Sequence, residues 1–224
     1  MRFMAGYDFI ETMRNTNQWM GANAQAIASY PAFAMFPNPV LEWTAAWGEV
    51  TERSFMRMVA KPDWGIDSFT CEDGRDHLVE VKNVLERPFG NLIHFDVLER
   101  ADKKRRVLLV APMSGHYATL LRSTVRSLIA DCEVFVTDWH NARDIPVSVG
   151  KFDIEDYIQY LLDFFCIMGP DTHVIAVCQP VPLALAATAI LAEEEPRSQP
   201  KTLTLMGGPI DPDANPTDIT DFGH

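Results

Sequence analysis

From Arg105 onward the chain alternates between two kinds of apolar segment, and that alternation limits the folds open to it. "RRVLLVAP", "CEVFVTDW", "THVIAVC" and "KTLTLMGGP" are short apolar runs of the kind that form parallel strands buried on both faces. Between them lie "TLLRSTVRSLIAD", "FDIEDYIQYLLDFFCIMG" and "LALAATAILAEEE", whose apolar residues recur at helical spacing. The middle segment is the best marked. Asp153 predicts an N-cap with Asp156 three residues on, Ile154, Tyr157, Ile158, Leu161 and Leu162 form a stripe, and Gly169 then Pro170 stop it. Strand and helix alternating through short connections predict a mostly parallel, doubly wound α/β sheet.

The preceding residues read differently. "LEWTAAWGEVTERSFMRMV" places Trp43, Ala46, Trp47 and Val50 on one side of a helix, which predicts a packed helical hairpin, a flap or an oligomer contact in a helical region over 1–60. The α/β core is expected over 61–224, opening with a β-hairpin around "RPFGN" in "HLVEVKNVLERPFGNLIHFDVLE".

Charge and cysteine usage remove several functions. A net charge of -12 leaves no basic surface to neutralise phosphates, so nucleic acid is not an expected partner. Cys71, Cys132, Cys166 and Cys178 show no C-x-x-C spacing, so no zinc site, redox pair or cofactor is expected. They read as reduced thiols of a cytoplasmic protein. Asp8 and Glu11 interrupt the stretch a signal peptide would need. Val174 to Ala192 is nearly the roughly 20 residues a bilayer requires. Gln179, Pro180 and Pro182 interrupt it and three glutamates close it, so a buried strand and helix is expected there and no transmembrane segment.

"HVIAVCQPVPLALAA" sets a thiol where a strand-like run turns into a helix-like one. In open α/β sheets the working residues gather at the carboxyl ends of strands, and a strand-to-helix turn can hold a nucleophile exposed and strained, as in the G-x-S-x-G elbow. The positive end of the following helix would favour a thiolate. Pro180 and Pro182 are tolerable in a first turn, where N–H groups have no internal partner. Ala176 and Pro180 stand where the elbow has glycines. Spacing alone therefore leaves Cys178 equally open to being one more buried thiol.

Five segments appear in order: "APMSGHYATLLRSTV", "TDWHNARDIP", "GKFDIEDYI", "VCQPVP" and "LMGGPIDPDANPT". With their spacing they resemble the intracellular polyhydroxyalkanoate (polyhydroxybutyrate) depolymerases over essentially the whole chain, the C-Q-P element being the most specific. The resemblance implies an α/β-hydrolase-like fold and hydrolysis of poly(3-hydroxyalkanoate) on cytoplasmic storage granules, with Cys178 as nucleophile flanked by Val177 and Gln179. Backbone N–H groups of Gln179 and of Met113 or Ser114 are the expected oxyanion donors. The polymer or granule surface is the expected partner; oligomeric state is left open.

In α/β-hydrolases the triad runs nucleophile, acid, histidine. After Cys178 the sequence holds one histidine, His224. Acid and histidine are accordingly expected beyond the chain end, C-terminal strands are expected to be missing, and the 224-residue chain alone is expected to be inactive and prone to aggregate. Asp211 reads as a loop former in "PIDPDANP" rather than a rearranged acid. His116 reads as a loop or core histidine, Asp138 and His140 as rim residues, and His77, His94 and His173 as surface or satisfied side chains. Two other functions remain: a synthase-like acyltransferase, against which A-V-C-Q-P lacks the flanking glycines, and a non-catalytic granule binder using Trp19, Phe33, Phe36, Trp43 and Trp47.

Overall fold

A computed structural model describes residues 2–31, 38–56, 61–71, 74–100, 104–113, 117–211 and 213–214. The chain divides into two compact units, Met1–Ala60 and Lys61–His224.

The first unit is a pair of helices, α1 (Arg2–Ala28) and α2 (Pro39–Phe55). Asn38 caps α2 by accepting from the Val40 N–H at 2.9 Å, and Pro39 occupies the first helical position, where a missing donor costs nothing. At the other end the Arg14 guanidinium donates to the Phe55 carbonyl. The helices meet backbone to backbone. A Cβ on Gly21 would lie 2.5 Å from the Glu52 nitrogen, and one on Gly48 would lie 2.7 Å from the Gln25 nitrogen. That contact excludes large side chains and corrects the expectation that the tryptophan stripe packs within the hairpin. Trp43, Trp47 and Val50 are exposed instead, because glycine rather than tryptophan permits the close approach.

The second unit is one seven-stranded sheet. Its strands are β1 (Ser68–Thr70), β2 (Asp76–Leu85), β3 (Gly90–Val97), β4 (Arg105–Val110), β5 (Cys132–Trp139), β6 (Thr172–Val177) and β7 (Thr202–Met206), in the order β1-β2-β3-β5-β4-β6-β7. The β5-β4-β6-β7 half is parallel and the β1-β2-β3-β5 half antiparallel, so the sheet is mixed. The helices are α3 (Arg122–Leu128), α4 (Ile154–Met168) and α5 (Val181–Glu194). Alternation along β4 sends Leu108 and Val110 into a core with α4 and α5, and Val107 and Leu109 into a second core with Val125 and Ile129. Elements on both faces are what the continuous apolar runs required.

Asp153 and Asp156 close a reciprocal capping box at the start of α4, and Gly169 ends it at φ 75°. Lys151 and the Asp156 N–H hold the Asp153 carboxyl down at about 2. Helix α5 is the helix expected to be buried after β6. It buries Val181, Ala184, Ala187 and Leu191 along one face and leaves Leu185 outward. Among the described residues no helix is long and apolar enough to cross a membrane.

Candidate active site

Three residues connect β6 to α5, and the first is Cys178. Its φ of 66° lies in the left-handed region, which costs a non-glycine residue about 1–2 kcal/mol. Among the described residues the other non-glycine with positive φ is Glu99, in an exposed turn. Such a conformation persists only where its surroundings impose it. The Cys178 N–H donates to the Met206 carbonyl at 2.8 Å, and its own carbonyl accepts from the Val181 N–H at 3.1 Å. Pro180 is the helix cap and Pro182 lies in the first turn, so both prolines fall where helical N–H groups lack partners. The thiol itself is free and exposed.

Ala176 and Pro180, in the places of the elbow's glycines, are both buried. The close approach comes from the neighbouring strand. A Cβ on Gly208, just after β7, would lie 2.2 Å from the Val181 Cβ and 2.5 Å from the Cys178 carbonyl oxygen. Gly208→Ala is expected to cost about 1–3 kcal/mol by overpacking. For a chain of this size each kcal/mol lowers Tm by about 2–4 °C. A thermal melt reads this directly, and an unchanged Tm would mean that elbow and β7 separate without cost.

The loop after β4 reaches the same place. Its base, Ala111, is pinned from three directions. The Ala111 N–H donates to Thr137 Oγ1 at 2.9 Å, while its carbonyl accepts from Trp139 Nε1 at 2.9 Å and the Tyr157 hydroxyl at 3.4 Å. Burial pushes the Tyr157 phenol far up, so it stays protonated and keeps donating. Two residues later the Met113 N–H donates to Gln179 Oε1 at 3.0 Å. The segments carrying the expected oxyanion donors therefore meet, through a side chain that sequence reading did not single out. Ser114, His116 and His224 lie outside the described residues, as do Phe33 and Phe36.

The described histidines are held elsewhere. The Nδ1 atoms of His77, His140 and His173 lie 2.9 Å from the Leu98 carbonyl, 3.0 Å from that of Pro88 and 2.8 Å from Thr202 Oγ1. His94 stacks on Phe135, and burial lowers its pKa, so it stays neutral 3.3 Å from Glu133. Asp138 is buried with one oxygen on Lys61. Asp211 accepts from the Asp213 and Ala214 N–H groups at 3.1 and 3.2 Å, which is loop formation.

The strand order, the antiparallel strand beside a parallel set, and an elbow after the strand next to the loop-bearing β4 give an α/β-hydrolase-like fold. No family model matches the chain, and no curated protein sequence matches it. Solved structures similar to it include a candidate lipase of Acinetobacter baumannii AYE (15% identity, TM-score 0.39, covering 58% of this chain and 42% of that one). A candidate esterase of Staphylococcus aureus has 14% identity and a TM-score of 0.45 over 84% of this chain and 59% of that one. An alpha/beta hydrolase enzyme from the metagenome of Lake Arreo, Spain, has 15% identity and a TM-score of 0.42 over 89% and 60%. The chain thus spans 42 to 60% of the length of these structures.

Proposed function

We propose that this protein is a thiol-dependent ester hydrolase acting on poly(3-hydroxyalkanoate) of storage granules. The observation that carries the reading is Cys178 held at φ 66° between the end of β6 and the start of α5. A strained, exposed thiol at that position supports a catalytic reading over a packing one. The thiolate adds to an ester carbonyl. The oxyanion rests on the Gln179 N–H and on a donor of the loop after β4. Collapse expels the alkoxide of the next monomer, which takes up the proton the thiol gave to the base, and leaves a thioester on Cys178. Water then opens the thioester, returning the thiol and a free carboxylate. The reading assigns acid and base to residues that follow the nucleophile in the chain order of the fold.

A second reading, granule binding without turnover, is favoured by one observation. Trp19 and Trp43 of the helical unit are 67% and 68% exposed, and Phe9, Ile10 and Val40 are comparably so. On this reading these exposed apolar side chains meet the polymer surface.

One experiment separates the two. Protein in a form that also carries the acid and base is mixed with amorphous granules, the granules are pelleted, and soluble hydroxyacid is measured. Co-sedimentation with hydroxyacid release supports the hydrolase, co-sedimentation without release supports binding alone, and protein left wholly in the supernatant removes the granule as partner.

A further inference from the structure

We infer, resting on the hydrolase reading above, that the Gln179 side chain is a positioning strut that sets the oxyanion loop against the nucleophile elbow. Gln179 Oε1 accepts the Met113 N–H at 3.0 Å, joining two segments 66 residues apart in sequence. Each end of this bond is fixed from behind. On the loop side, Ala111 is tied to Thr137, Trp139 and Tyr157. On the elbow side, Cys178 is tied to Met206 and Val181, with Gly208 pressed against its carbonyl. Between these two anchored points the Gln179–Met113 bond spans the gap directly.

Two consequences follow from the chemistry. The Met113 N–H is engaged by an amide oxygen and is not offered to an oxyanion while the bond holds. One residue also does two jobs. On the hydrolase reading its backbone N–H receives the oxyanion, while its side chain fixes how far away the loop stands. The bond is solvent-exposed, so it contributes little to overall stability. Its value lies in geometry, because oxyanion donors act only when held in advance at the correct distance.

Gln179→Met keeps the length of the side chain and deletes the acceptor. Gln179→Glu keeps an acceptor oxygen. Hydrogen exchange at the Met113 amide is expected to be slow in the wild type, fast in Gln179→Met and slow again in Gln179→Glu. In Gln179→Met, kcat is expected to fall about 10- to 100-fold with KM and Tm nearly unchanged. Unaltered exchange at Met113 in Gln179→Met would show that the strut does not exist. Faster exchange with unchanged kcat would show that it positions nothing. If a form of the protein that also carries the acid and base shows slow exchange at Met113 yet no Cys178-dependent hydrolysis of granules or of a soluble short-chain ester, the hydrolase reading fails and takes the positioning role with it, while the contact stands.

Discussion

Cys178→Ala is expected to lower kcat/KM for ester hydrolysis by about 1,000-fold or more, in whichever form of the protein hydrolyses ester. Alanine removes the one atom that forms the thioester, and no neighbouring hydroxyl or carboxylate in the described turn can take its place, the next residues being Gln179, Pro180 and Val181. Activity left in the variant would come from substrate binding and the oxyanion donors alone. The fold should be untouched, since alanine accepts the same backbone conformation at similar cost and the thiol is exposed. Cys166 is the control. It is also exposed, but it lies on α4 with its thiol pushed up by burial and by Glu195, and Cys166→Ala should leave hydrolysis as it was. Steady-state kinetics on granules and on a soluble short-chain ester decide the matter. Full turnover by Cys178→Ala would place the nucleophile elsewhere.

Trp139→Ala should be the most damaging change to stability. Trp139 ends β5 at 3% exposure, and its ring lies 4.3 Å from that of Tyr157 and 6.2, 6.0 and 6.3 Å from those of Phe152, Tyr160 and Phe164. Gly90 exists to admit it: a Cβ there would lie 2.6 Å from Trp139 Cε3. Truncation leaves a cavity among side chains that cannot collapse, at about 3–5 kcal/mol, which lowers Tm by roughly 6–20 °C. The indole N–H also holds the Ala111 carbonyl, so the loop carrying Met113 should loosen. Trp139→Phe fills most of the volume and deletes that donor, so it is expected to cost much less stability. Comparing the two melts separates packing from the hydrogen bond. Equal Tm values for Trp139→Ala and the wild type would contradict this account of the core.

Much of the second unit is legible in the sequence. Helix α4 could be placed to the residue because capping is local: Asp153, Asp156 and Gly169 act on amides and carbonyls within a few positions. Strands β4, β5 and β6 were legible because burial on both faces leaves an unbroken apolar run. The β2–β3 hairpin announced itself through "RPFGN". The three-residue β1 was missed, being too short to show a period. The helical unit misled on one point. Periodicity identified the tryptophan stripe on α2 correctly, but a stripe does not say which face meets a partner, and Gly21 and Gly48 took that contact.

The elbow divides in the same way. That a thiol sits between a strand and a helix, with prolines where a first turn tolerates them, follows from the order of residues 173–187 alone, since each preference acts over a few neighbouring dihedral angles. Whether that thiol is a packed core group or an exposed, strained one could not be read there. The answer depends on Met206 receiving the Cys178 N–H and on Gly208 leaving room for its carbonyl, from a strand about 30 residues away. The Gln179–Met113 strut and the pinning of Ala111 by Trp139 and Tyr157 have the same origin. Such contacts leave no local mark in the sequence because they exist only after β4, β5 and β6 have paired and packed against α4. Local preferences decide which segment becomes strand or helix, and the pairing of distant strands decides what stands beside the thiol.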